Sequence, residues 1–262
     1  MQKILILLLC SITLFAYTDS DMDGVADKND LCPNTSLTEL VDLSGCTIKN
    51  LISPHNFDIV IGESYSRNKT ISIQDSSLQL DYYYKDVSLQ LFSLYFNVNG
   101  ENYSNSGQNN TYLNGYYKVE FTNKFLIRFR GGVSFPTYNN QENKIDYSLS
   151  FYTQYQEKHF KLFGGMGYTF VGDKENNNTA NTYTNIGFYN IGMGYDFNKQ
   201  WYGSIGYNYS KSIYQNSHTM EMLSLYSYYK LSHHWFSTLS YKYGLSNSAI
   251  NNSIGLKLGY YW

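Results

Sequence analysis

Long apolar runs are the first thing this 262-residue sequence lacks. No internal segment has the roughly 20 uninterrupted apolar residues that a membrane-spanning helix needs. Charge is scarce as well, at 15% of residues, and nothing in the chain is basic enough to hold nucleic acid. Proline and cysteine occur three times each. The short signatures of hydrolases and nucleotide enzymes are missing, since there is no GxSxG elbow, no HExxH pair and no phosphate-cradling loop. The five histidines, His55, His159, His218, His233 and His234, all fall in turns, loops or a connector, so no catalytic role is expected of them. Gly164-Gly165-Met166-Gly167 is glycine-rich but sits inside a strand pattern, where it reads as packing.

Aromatic residues are abundant. They make up 18% of the chain, and 29 of them are Tyr. Tyr and Trp favour places with one apolar side and one wet side. A membrane-spanning β-barrel has two such belts, one at each interface.

The stretch Ser253 to Trp262 sets the pattern. Ile254, Leu256, Leu258, Tyr260 and Trp262 fall on one face of a strand, and Ser253, Gly255, Lys257, Gly259 and Tyr261 on the other. Similar segments of about ten residues recur back to Phe57 and give about twelve candidate strands. Short joints fall at Lys85-Asp86, Thr122–Lys124, Gln156–His159, Asn198–Gln200 and Ser232–His234. Longer polar loops fall between them, including Arg67–Ser76, Asn99–Asn110 and Gly172–Thr184. Short periplasmic turns, longer outer loops, an even strand count and a final aromatic are all outer-membrane features. The expected fold is therefore all-β, with residues 51–262 forming an antiparallel transmembrane barrel of about 12 strands.

In lipid the apolar set of each strand must face outward, and the polar set then lines the lumen. That places Lys118, Glu120, Arg128, Arg130, Asp146, Lys161, Lys242 and Lys257 inside, together with Asp58, Asp81 and Asp196. A three-residue turn would set Phe121 opposite Phe125 and Lys118 opposite Arg128, with Glu120 diagonal to Arg128 and able to pair with it. Inward glycines, such as Gly165, Gly167, Gly192, Gly194, Gly206 and Gly255, would leave room for bulky neighbours or water. Val87–Val98 does not alternate cleanly, which suggests a bulge or register break near Phe92-Ser93. The inner charges have two readings: an ion-pair network that stiffens the barrel, or a charged selectivity constriction.

The amino-terminal part differs in character. Residues 1–16, MQKILILLLCSITLFA, read as a secretory signal peptide, which implies export to an oxidising compartment. From Tyr17 to Asn50, seven acids against Lys28 and Lys49 leave a charge of −5, whereas residues from Leu51 onward carry 14 acids and 16 bases. Asp19, Asp21, Asp23, Asp27 and Asp30 occupy positions 1, 3, 5, 9 and 12 of a loop with Gly24 at position 6. Ca²⁺ takes six to eight hard oxygens, and glycine at position 6 permits the sharp turn that wraps them.

The run DxDxDGVxDxxDxCPNT followed by VDxxGC resembles a thrombospondin type 3 repeat of the form found in OmpA-like outer-membrane proteins. The resemblance covers about thirty residues of module 17–50. It implies Ca²⁺ ligation by Asp19, Asp21, Asp23, Asp27 and Asp30 with the Val25 carbonyl at position 7, and a Cys32–Cys46 disulfide. There is one copy of the repeat, and the peptidoglycan-binding domain that usually follows it is missing, so peptidoglycan binding is not expected.

The combined expectation is an outer-membrane barrel, porin-like, passing small solutes or ions and contacting outer-membrane lipid, with a periplasmic calcium-binding module. The alternative is a non-conducting barrel whose outer loops contact partners. A soluble β protein would instead have to turn its apolar faces inward.

Overall fold

The structure is a computed structural model. It describes residues 55–68, 70–137, 144–172, 182–215 and 217–262, with positions 21, 25, 27–32 and 44. The expected signal segment, Asp19, Asp23 and Cys46 lie outside the described residues. The chain divides into two units, Met1–Pro54 and His55–Trp262.

In the first unit, Asp30 Oδ1 accepts the Cys32 N–H at 2.8 Å. The Leu31 N–H donates to the Ser44 carbonyl at 2.8 Å, so the chain doubles back between these two points.

The second unit is all-β. Its strands are β1 (His55–Asn68), β2 (Ile71–Tyr84), β3 (Val87–Asn99), β4 (Ser104–Gln108), β5 (Thr111–Thr122), β6 (Phe125–Phe135), β7 (Asp146–Glu157), β8 (Phe160–Phe170), β9 (Ile186–Asp196), β10 (Trp201–Ser210), β11 (Met220–Lys230), β12 (Trp235–Gly244) and β13 (Asn252–Tyr261). Each long strand pairs antiparallel with its neighbours in sequence, and β1 also pairs with β13. That last pairing closes a ring of twelve strands. At the seam, Phe57 and Trp262 exchange backbone hydrogen bonds of 3.1 Å each, and their rings stack 5.6 Å apart.

Strand β4 stands outside the ring and pairs only with β3. It arises in the stretch Asn99–Asn110, which the sequence reading leaves as a loop. Strand β3 pairs with β5 over Val87–Phe92, then with β4 over Tyr95–Asn99. The irregularity expected near Phe92-Ser93 is this change of partner and not a bulge, because the β2–β3 register runs unbroken from Ser72↔Asn99 to Tyr84↔Val87. The register shift lies instead between Glu120 and Thr122.

The stretch Arg67–Ser76 is also mostly strand and not loop, since β1 runs to Asn68 and β2 begins at Ile71. The physical reason is an exchange of faces. At this end of β1, β2 and β3 the outward positions are Glu63, Arg67, Gln74, Ser76 and Asn97, while Ile73, Leu94 and Phe96 turn inward. A charge facing hydrocarbon is expensive, so this part of the wall stands clear of the apolar band.

Over the rest of the barrel the apolar set faces out. Leu149 is 61% exposed, Ile191 63% and Leu256 59%, while Val60 and Ala249 are the buried hydrophobic residues among those described. Such a molecule has almost no apolar core of its own. Covering each of these side chains is worth roughly 1.5–3 kcal/mol, and here lipid must do the covering. Aromatics sit at the ends of the outward rows, as with Tyr189 and Tyr195 around Ile191 and Met193. The tight joints after β2 and β7 hold Lys85 and Lys158 at φ of 52° and 53°, the left-handed conformation that two-residue hairpins require.

Candidate functional site: the barrel lumen

The lumen is built from rows of residues that face each other across successive strands. One row runs Lys118, Arg128, Tyr152, Gly165, Asn190, Asn208 through β5 to β10. The next runs Tyr116, Arg130, Ser150, Gly167, Phe188, Ser210. Because strand side chains alternate, every member of such a row shares one face, and here it is the inner one.

The wall formed by β1, β2, β3, β5 and β6 is polar and knitted together. Arg130 donates from Nε and Nη2 to Asn114 Oδ1 at 3.0 and 2.8 Å. Asn114 donates to Gln90 Oε1 at 3.2 Å, and Tyr116 donates to the same oxygen at 3.1 Å. Gln90 donates to Asp81 Oδ1 at 2.9 Å, and Gln79 donates to Asp81 Oδ2 at 2.6 Å. Tyr83 donates to Asp58 at 3.1 Å. The buried Asp81 carboxylate thus has charge-assisted partners on both oxygens, which is how a buried anion is tolerated.

The wall formed by β7 to β12 is aromatic, and glycines make it so. Tyr152 lies opposite Gly165, Phe188 opposite Gly167, Phe163 opposite Gly192, and Phe236 opposite Gly259. At Gly165 the Phe151 carbonyl is nearest and the Tyr152 ring lies in contact beside it, while at Gly167, Gly192 and Gly259 the ring occupies the space that a Cβ on the glycine would need. Tyr202 lies across Gly194 in the same way. The inward glycines therefore do not leave voids; they let rings lie flat along the wall, and Tyr152 and Phe163 stack 6.0 Å apart.

The charged residues named from the sequence take the following places. Lys118 and Arg128 face each other in register, and Glu120 pairs with Lys118 at 2.7 Å, not with Arg128. Glu120 keeps its expected register opposite Leu126, and the shift comes only after it, where Thr122 takes the place opposite Phe125 that Phe121 was expected to hold. The Phe121 and Phe125 rings still approach to 5.8 Å. Lys161 pairs with Asp196 at 2.8 Å and lies 4.7 Å from the Tyr202 ring centroid. Asp146 Oδ1 accepts the Gly172 N–H at 2.8 Å. Lys242 faces Ser224 and Ser253 in register. Lys257 faces Gly62, drapes its stem over it, and sets its ammonium 5.5 Å from the Phe92 ring centroid. No ion pair among the described residues involves Arg128, Arg130, Lys242 or Lys257. A single interior ion-pair network is thus not what these residues form.

Between the two walls lies a cavity of about 510 Å³. Arg128, Arg130, Tyr116, Tyr152, Gln154, Phe188 and Asn190 line it. Of these, alternation in the sequence assigns Tyr152 and Gln154 to the inner face but leaves Phe188 and Asn190 without a role. The signal that identifies Phe188 is its cross-strand pairing with a glycine, which only the register reveals. Of the residues that the sequence suggests for calcium and the disulfide, Asp21, Val25, Asp27, Asp30 and Cys32 are described, while Asp19, Asp23 and Cys46 are not.

A closed twelve-stranded antiparallel ring with an apolar outer face defines an outer-membrane β-barrel. The chain belongs to the family described as "Putative MetA-pathway of phenol degradation", whose profile matches residues 45–261. Its fold is similar to that of an outer-membrane channel from Pseudomonas putida F1, with a TM-score of 0.65 at 8% identity, over 79% of this chain and 95% of that one. It is also similar to the NanC porin, with a TM-score of 0.54 at 8% identity, over 78% of this chain and 97% of that one. A search of curated proteins finds no match. The protein resides in the outer membrane.

Proposed function

We propose that the barrel is a porin-like channel for small solutes. The observation that carries this reading is the cavity between the polar and aromatic walls, where Arg128 projects among groups that a passing solute can touch. The family's description, phenol degradation, and the likeness to an outer-membrane channel support it. Single-channel recording of the refolded protein in a planar bilayer tests it. A steady conductance is expected. Arg128→Glu should shift the anion-to-cation permeability ratio toward cations by roughly tenfold, the effect of a charge reversal a few ångströms from the ion path. A silent bilayer with correctly folded protein would favour a closed barrel that works through its outer loops.

The second part of the proposal is a periplasmic calcium module at residues 17–50. Its donor set of Asp19, Asp21, Asp23, Asp27 and Asp30 carboxylates with the Val25 carbonyl has the hard oxygens that Ca²⁺ takes. Among the described residues no three metal-binding side chains come together, Asp19 and Asp23 lying outside them. The Leu31–Ser44 backbone bond brings two distant points of the module together, which supports a Cys32–Cys46 bridge. Such extracytoplasmic sites bind with dissociation constants on the order of 10⁻⁴–10⁻³ M. Asp23→Ala in the full chain should weaken Ca²⁺ binding measured by calorimetry. An unchanged affinity removes Asp23 from the ligand set.

A further inference from the structure

We propose that the luminal cavity is a binding site for small aromatic monocarboxylates, with the carboxylate on Arg128 and the ring against Phe188 and Tyr152. This rests on reading the barrel as a solute channel and names the solute class. Three features of the cavity lead to it.

The first is charge. Arg128 and Arg130 both line the cavity, but Arg130 already spends Nε and Nη2 on Asn114. Among the described residues the Arg128 guanidinium has no hydrogen bond or ion pair. One uncommitted planar fork suits one planar anionic group, and a carboxylate matches it in bidentate fashion. Arg130 keeps its charge beside the neutral Asn114 amide, but its fork is turned to that amide, so the second arginine adds field and not a second bidentate grip.

The second is shape. Tyr152 and Asn190 stand on strands β7 and β9, with Gly165 of β8 between them. The Tyr152 ring leans over that middle position and stacks 6.0 Å from Phe163, so it offers the cavity a flat face. Two rings border the cavity, that of Tyr152 and, one row on, that of Phe188 lying over Gly167. Flat apolar surfaces of this kind favour an offset or edge-on aromatic guest over a compact polar one.

The third is a leftover acceptor. Asn190 Oδ1 is buried and has no hydrogen-bond partner. A buried polar atom without a partner is costly. Asn190 lines the cavity, so a turn of its amide toward the guest would let a hydroxyl on the far side of the ring satisfy it. The site thus reads from end to end as cation, ring surface, acceptor.

The test is calorimetric binding of benzoate to the refolded full chain in detergent, with 4-hydroxybenzoate and acetate as companions. Benzoate should bind saturably, 4-hydroxybenzoate more tightly, and acetate at least tenfold more weakly than benzoate. Arg128→Gln should weaken benzoate binding by roughly tenfold or more, because a charge-assisted bidentate pair is lost. Phe188→Ala should weaken benzoate but leave the weak binding of acetate unchanged. Retained heat-modifiable gel migration shows that each variant has folded. Binding that ignores Arg128→Gln overturns the assignment, and so does acetate binding as tightly as benzoate. Because binding is read without current, a silent bilayer together with saturable benzoate binding would defeat the channel reading and leave the site standing. Conductance without benzoate binding would do the reverse.

Discussion

Leu225→Arg is expected to destabilise the barrel in lipid vesicles by about 2–4 kcal/mol in denaturant unfolding. Leu225 sits mid-way along the outward face of β11 and is 47% exposed. Its row continues through Ile205, Met193 and Leu162, so the new guanidinium would find hydrocarbon on every side. Gln154→Arg makes a similar change in charge on the inner face, where Gln154 already borders the cavity. There the cost should stay below about 1 kcal/mol, as for an ordinary accessible position. Equal costs at the two positions would mean that the faces are misassigned and that the barrel does not present Leu225 to lipid.

The second large effect is expected from Gly192→Leu. Phe163 lies across Gly192, and a Cβ there would meet both the Phe163 ring and the Ile205 carbonyl. The ring can yield and the backbone cannot, so Phe163 must swing off the wall into the lumen. Overfilling of this kind typically costs about 1–3 kcal/mol. It should also lower single-channel conductance, which a substitution acting on stability alone would not do. Adding Phe163→Ala should restore conductance but only part of the stability, because the Ile205 carbonyl still opposes the new Cβ. Unchanged conductance in a folded Gly192→Leu protein would show that the aromatic wall does not border the ion path.

The barrel itself was legible because a strand in lipid has no freedom to hide its pattern. The alternation in Ser253–Trp262 survives in the register, where Ile254, Leu256 and Leu258 face outward beside Tyr65, Glu63 and Ile61. The exception in that row, Glu63, marks where the reading weakened. Beyond the apolar band water covers the outer face, the constraint lifts, and the same strands carry Ile73, Leu94 and Phe96 inward. A pattern search tuned to apolar-outward alternation therefore stops short and reports loops. Inner charges were also legible, being excluded from the lipid side. Their partners were not, because Glu120 has Lys118 two residues away on its own face and Arg128 diagonal across the strands, and composition does not decide between them. Phe163, Phe188 and Phe236 were missed for a related reason. An inward aromatic looks like an error until the glycine facing it across the strands is known.

The seam between β1 and β13 also dictates how the molecule must be assembled. It joins segments far apart in the chain, and the hydroxyls of Ser66 and Ser253, 187 residues apart, meet across it at 2.9 Å. Until β13 arrives, β1 presents an edge of unpaired amides and carbonyls that hydrocarbon cannot solvate. Strands β1 to β12 therefore cannot settle into the bilayer one hairpin at a time. Ring closure and insertion become one late, concerted event, governed by the slowest and most distant pairing in the chain. Changes at the seam will be felt first as time spent waiting outside the membrane, and only afterwards as stability within it.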